Sequence, residues 1–168
     1  LAISKSSTNI LYAVMGRYIF KSTNRGYTFT EVTNDLPDRA ITSVSIHPDS
    51  SHVAIITFSG FGEGKIFKTS NGGSDWNNIT GNLPDAPVND ALFYYPGTST
   101  NTYYAANDVG VFVTNNNGQS WIELANGLPN TVTMHLDYHQ TSNKLRAGTH
   151  GRGVYEIQIN STVVDVQS

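Results

Sequence analysis

Apolar and polar residues alternate over short runs along most of the chain, and clusters of Gly, Pro, Asn, Asp or Ser cut each run short. Alternation with period two predicts strands with one face on a core, and the clusters predict tight turns. One series reads ITSVSIH (41–47), HVAIITF (52–58), GKIFKTS (64–70) and WNNIT (76–80). The next reads VNDALFYY (88–95), NTYYAAN (101–107), GVFVTNN (110–116) and SWIELA (120–125). The separators are PDSS, GFGEG, PGTST and three Asn-x-Gly turns, and no window carries a 3.6-residue period.

The series is a repeat. STNRGYTF (22–29), TSNGGSDW (69–76) and TNNNGQSW (114–121) align without gaps. They place Asn24, Asn71 and Asn116 in register, then Gly26, Gly73 and Gly118, then Phe29, Trp76 and Trp121. DLP (35–37), NLP (82–84) and GLP (127–129) follow each box. YIFKS (18–22), KIFKT (65–69) and VFVT (111–114) precede them, and GVYEI (153–157) returns without a box. Four strands per unit at a period near 45 residues is the pattern of β-propeller blades, so the expected fold is all-β with 14–16 strands in four radial sheets. The units are 1–33, which lacks a preceding outer strand, then 41–80, 88–125, and 131–160, which lacks its box and outer strand. Residues 161–168 read as a terminal strand or linker. Four units fall short of the ring size usual for such repeats, and the chain opens at Leu1 rather than Met. We therefore expect the carboxyl-terminal part of a larger propeller, or a piece completed by blades of the same or another chain. Each box glycine is expected in a left-handed turn, closed by the Asn side chain, with the aromatic buried beneath its own hairpin.

Composition narrows the function classes. Ser, Thr, Asn and Gly make up 66 of the 168 residues, while charged residues are 14%, against roughly 25% in an average domain. A net charge of −3 with ten Lys and Arg argues against a nucleic-acid partner. No apolar run approaches the roughly 18 residues of a membrane span, so no membrane insertion is expected. The absence of cysteine excludes disulfides and thiolate metal sites. No cofactor fingerprint is present: GFGEG (60–64) has neither the spacing nor the following helix of a dinucleotide loop.

The boxes resemble the Asp-box, or BNR, repeat S-x-D-x-G-x-[ST]-W of sialidases, sortilin-type propellers and xyloglucan-degrading endoglucanases, over residues 1 to about 160. Asn stands in place of the Asp at 24, 71 and 116, and Phe29 in place of the first Trp. The stretches YYAANDVGVFVTNNNGQSW and LRAGTHGRGVYEI look most like the sortilin-type repeats of large secreted bacterial proteins. That resemblance implies a secreted or cell-surface, non-catalytic propeller module that binds a protein or glycan through one loop face. A second implication is part of a xyloglucanase-type glycoside hydrolase. A sialidase would need three arginines on one face; Arg17 and Arg152 sit in equivalent loops, but the third candidate, Arg39, lies in an inter-blade loop.

In a propeller, the turns between second and third strands line one mouth of the channel. They would bring Arg17, Glu63, Asp108, His150 and Arg152 together as the candidate binding residues, with Asp35, Asp38, Arg39, Asp85 and Asn130 from the inter-blade loops. The plainer reading of each is a solvated turn residue. Asn107-Asp108-Val109-Gly110 is similar to the D-[VI]-G setting of the xyloglucanase acid, and Glu63 is its one comparable partner, so these two are the catalytic candidates. His135, Asp137 and His139 alternate along one strand and share a face, as metal ligands would. The plainer reading there is inter-blade bonding, as at Ser43, Ser45 and His47. Sequons stand at Asn78 and Asn160.

Overall fold

Four antiparallel sheets follow one another along the chain in a computed structural model that describes residues 1–94, 101–124, 128 and 130–159. Gly127, Pro129, sequon Asn160 and the tail 161–168 lie outside the described residues. Blade 1 holds β1 (Ala2–Ile3), β2 (Leu11–Met15), β3 (Tyr18–Ser22) and β4 (Thr30–Glu31). Blade 2 holds β5 (Ile41–Ile46), β6 (Ala54–Phe58), β7 (Ile66–Thr69) and β8 (Asn77–Asn78). In blade 3 come β9 (Val88–Phe93), β10 (Tyr103–Asn107), β11 (Gly110–Thr114) and β12 (Ile122–Glu123). Blade 4 has three strands, β13 (Thr133–His139), β14 (Lys144–Thr149) and β15 (Gly153–Gln158). A single 3-10 turn, Gln140–Ser142, is the one helical element among the described residues. The fold is all-β and of propeller type, as the repeat predicts. The first unit has all four strands, its inner one trimmed to two residues.

The first strands of blades 2, 3 and 4 lie side by side at the centre. Each pairs with its second strand through a register shift at the same place: between Ile41 and Ser43, opposite Ala106 and Asn107, and between Thr133 and His135. The shift turns the next residue toward the neighbouring blade. Asp90 therefore reaches both ways. Its carboxylate accepts from Ser43 Oγ at 2.6 Å, from the Leu136 amide at 2.9 Å and from His135 Nδ1 at 2.8 Å. One buried side chain thus ties three blades together.

The boxes close as their sequence suggests. Asn24, Asn71 and Asn116 accept through Oδ1 from the backbone amides of Thr28, Asp75 and Ser120 at 2.9–3.0 Å. The box glycines hold φ of +87°, +92° and +79°, a region that only glycine enters without strain.

The aromatics differ from expectation. Trp76 and Trp121 reach into the preceding blade, donating through Nε1 to the carbonyls of Val32 (2.8 Å) and Ile79 (3.0 Å). The reason lies in Thr33 and Thr80. Thr33 Oγ1 accepts the Ile19 amide, and Thr80 Oγ1 accepts those of Lys65 and Ile66. The ladder amides are satisfied by hydroxyls, and the carbonyls of Val32 and Ile79 are left for the next blade. Burial follows from having a predecessor: Trp121 is 3% exposed and Trp76 partly buried, whereas Phe29 in blade 1 is 42% exposed.

Candidate functional site

The turn end of the sheets gathers most of the candidate residues, but many are engaged with one another. Arg17, in the β2–β3 turn, pairs with Asp38 at 2.6 Å. In the next blade Lys65 pairs with Asp85 at 2.8 Å, and the Gly62 amide donates to the same carboxylate at 2.7 Å. Lys65 and Gly62 together hold the Asp85 carboxyl below the usual carboxylate range. Asp38 and Asp85 occupy the same place after Leu-Pro, as Asn130 does in the third unit. The pattern is an inter-blade latch: a cation near the turn and an acid in the linker. Arg39 donates to the carbonyls of Phe61 (2.8 Å), Glu63 (2.7 Å) and Gly64, holding that loop from inside.

Asp108 accepts from Asn89 Nδ2 at 2.9 Å, and the same amide group donates to the Thr133 carbonyl at 2.9 Å. Glu63 lies elsewhere, in a 490 Å³ cavity with Lys65, Asn78, Thr80 and Asp85. Asp108 does not line that cavity. Sequon Asn78 is exposed there. The two carboxyl candidates thus stand in separate surroundings, and the carboxylate that shares the cavity lining with Glu63 is the latched Asp85. On blade 4, the His150 amide donates to the Val132 carbonyl. The His150 ring and the exposed Arg152 side chain make no hydrogen bond or ion pair with described residues. Of the arginines, Arg17 and Arg39 are held by the scaffold and Arg152 is unengaged. Asp35 stands away from this mouth, beside the second box with Asn71 and Trp76.

His135, Asp137 and His139 share a strand but not a partner. His135 binds Asp90, Asp137 faces Arg146 at 3.5 Å, and His139 Nδ1 meets Ser142 Oγ at 2.7 Å. Among the described residues no three His, Asp or Glu side chains gather as a metal site would require.

The opposite end holds a feature the sequence did not disclose. A cleft of about 470 Å³ opens there, lined by residues of all four blades, among them Lys5, Ser45, Phe93, Asp137, Tyr138 and Gln140. Its members belong to four repeat units, and the sequence carried no signal that their side chains would share one space.

Among the described residues no helix is long and apolar enough to cross a membrane. The family model described as Sortilin-Vps10 (sortilin, neurotensin receptor 3) matches residues 17–144. No curated protein matches the sequence. The fold is similar to the GH74 enzyme of Niastella koreensis, with a TM-score of 0.74 and 18% identity, covering 96% of this chain and 28% of that one. An auxiliary nutrient binding protein of Bacteroides thetaiotaomicron gives 0.70 and 14%, over 96% of this chain and 38% of that one. YCF48 bound to D1 peptide gives 0.65 and 16%, over 95% and 54%. The chain therefore spans little more than a quarter of the GH74 enzyme, and at these identities the likeness is one of fold.

Proposed function

The chain belongs to the sortilin (Vps10) family, and from that premise we propose that it is a non-catalytic binding module of a secreted or cell-surface protein, engaging a protein ligand through its turn end. The remaining blades, in the same or another chain, extend the support. The binding residues would be Arg152 and His150, together with Glu63, Asp108 and Arg17 on the other turns of the same end. One observation carries this reading. The turn loops are locked by the Arg17–Asp38 and Lys65–Asp85 latches and the Arg39 fork, yet Arg152 and the His150 ring are left exposed and unengaged. Rigid loops presenting unengaged polar groups suit recognition. The fold is shared by binding proteins, one of them bound to a peptide.

The glycoside hydrolase reading draws on the likeness to a GH74 enzyme. It needs two carboxyls across one scissile bond, and Asp108 and Glu63 do not line one cavity. A different second reading has an observation of its own: the four-blade cleft at the opposite end, where Gln140 and Asp137 would hold the ligand.

The test is a panel of unstructured peptides and xyloglucan oligosaccharides, with binding and turnover measured for the chain and its Arg152→Ala, Asp108→Ala, Gln140→Ala and Arg25→Ala variants. Peptide binding should weaken about tenfold in Arg152→Ala, the worth of one charged hydrogen bond, and hold in Arg25→Ala. Loss only in Gln140→Ala moves the site to the cleft. Xyloglucan turnover that vanishes in Asp108→Ala overturns the non-enzymatic reading.

A further inference from the structure

One row of polar positions on the inner strands satisfies itself, and the next row does not. The registers with the second strands set the correspondence: Ser45 lies opposite Ile55, Leu92 opposite Tyr104 and Asp137 opposite Arg146. Two residues earlier, on the same strand faces, stand Ser43, Asp90 and His135. In that earlier row the central carboxylate takes both neighbours, Ser43 at 2.6 Å and His135 at 2.8 Å. In the later row the central residue is Leu92, which offers no acceptor.

The consequence shows in the hydrogen bonds. Ser45 is half-buried, yet its hydroxyl makes none with described residues. The Asp137 carboxylate has one contact there, Oδ2 to Arg146 at 3.5 Å. Arg146, on the charged flank of blade 4, is held more closely by Glu156 at 2.9 Å. Both Ser45 and Asp137 line the 470 Å³ cleft at the end opposite the turns.

Two more groups reach that cleft from its rim. One is the Lys5 ammonium, which follows β1, and the other is the Gln140 amide, which follows β13. Neither side chain makes a hydrogen bond or ion pair with described residues. A second acid in the lining, Asp49, serves His47, to whose Nδ1 its amide donates at 3.2 Å. The rest of the lining is largely apolar, with Ile46, Leu92, Phe93 and Leu136.

An unpaired ammonium and a weakly paired carboxylate in one cleft, together with an apolar wall, form the complement of a small zwitterion. Each charge would meet its opposite on the ligand, so neither is desolvated alone. A neutral sugar would leave both charges without compensation, and a simple anion or cation would leave one. The volume falls within the range of small-molecule sites.

We propose that the cleft binds a free α-amino acid with an apolar or aromatic side chain. The ammonium sits on Asp137 and Ser45, the carboxylate on Lys5 and Gln140, and the side chain on Leu92 and Phe93. This gives the four-blade cleft a chemistry of its own and does not depend on what the turn end binds.

The test is titration of the 168-residue chain with L-leucine and L-phenylalanine, followed by amide chemical shifts. L-leucinamide, which lacks the carboxylate, and N-acetyl-L-leucine, which lacks the ammonium, are the matched controls. Each should bind about tenfold more weakly than leucine, the worth of one charged hydrogen bond. Lys5→Met should weaken leucine about tenfold and leave leucinamide as it was. Asp137→Asn should weaken leucine to the same degree and leave N-acetyl-leucine as it was. Both side chains are exposed, and the crossed pattern separates direct contact from a loss of fold. Arg152→Ala should change none of these values, so failure here is distinct from failure of the turn-end reading. Absence of saturable binding by either amino acid overturns the proposal, as does binding that Lys5→Met and Asp137→Asn leave unchanged. Tighter binding of an N-acetylated hexapeptide or of maltose, abolished by Gln140→Ala, gives the cleft to another ligand and overturns it too.

Discussion

Thr80 sets the partner of Trp121. Its hydroxyl accepts the Lys65 and Ile66 amides, at 2.8 and 3.2 Å, and the Ile79 carbonyl is left to take the Trp121 indole N–H at 3.0 Å. Thr33 and Trp76 repeat the arrangement through Val32. The third unit has Ala125 at the threonine place, outside the described residues, and the blade after it has no box tryptophan.

Thr80→Val and Trp121→Phe should therefore be coupled. Each alone should cost about 1–3 kcal/mol, by leaving a buried donor or acceptor unmet. The double variant should cost less than the sum by about 1 kcal/mol, because the strand ladder can then close on the freed carbonyl. Additive costs in urea unfolding would show that the hydroxyl does not direct the indole.

Truncating the aromatics should grade with burial. Trp121→Ala should cost roughly 3–5 kcal/mol, and Trp76→Ala about half as much, since it is partly buried. Equal midpoints for the two variants would contradict the gradient.

Gly118→Ala should be worse than Gly26→Ala. Both glycines have positive φ, but a Cβ at Gly118 would stand 2.3 Å from the Ile79 carbonyl oxygen, whereas at Gly26 nothing lies nearer than 3.7 Å. The first should lose more than about 2 kcal/mol and the second about 1. Matching losses in thermal unfolding would remove the role given to inter-blade contact.

His47 should make the fold acid-sensitive. Its ring packs edge-on against Phe93 at 5.0 Å, and its Nδ1 accepts the Asp49 amide at 3.2 Å, so the folded chain holds it neutral. Burial lowers its pKa from the ordinary 6.5, a shift that Asp49 opposes and Lys68 assists. Below about pH 6.5 the unfolded chain then binds the extra proton first, and stability falls until the folded-state pKa is reached. His47→Gln should flatten unfolding free energy between pH 7 and 5 relative to the parent, and an unaltered slope would clear His47 of the effect.

Asp90→Ala should cost about 3 kcal/mol, because the Leu136 amide and Ser43 hydroxyl lose a buried acceptor. Asp90→Asn should recover part of it. If both variants unfold with the parent, the three-blade tie is dispensable.

The repeat made the blades legible, because strand alternation and turn chemistry are written in neighbouring residues. It revealed the Asn24, Asn71 and Asn116 turns for the same reason. It did not reveal that Trp121 looks backward, since the indole's acceptor is made available by a threonine 41 places earlier. Nor did it separate Arg17 from Arg152: both sit in equivalent turns, and only the linker residue Asp38 distinguishes the latched one. The charged flank of blade 4 was visible in principle, as Arg146 and Glu156 at places where other units carry Tyr104 and Val113. Reading it required the strand registers.

The direction in which the tryptophans point also bears on how the chain is made. Trp76 and Trp121 bond residues 44 and 42 places closer to the amino terminus. On a ribosome, each box thus emerges after the strand end it must grip has already been synthesised. Among the described strands the larger inter-sheet contacts join neighbouring blades, so each of these steps closes a modest loop as soon as the next blade is made. A nascent chain halted after any box should hold its finished blades in native pairing while the remainder is still being translated.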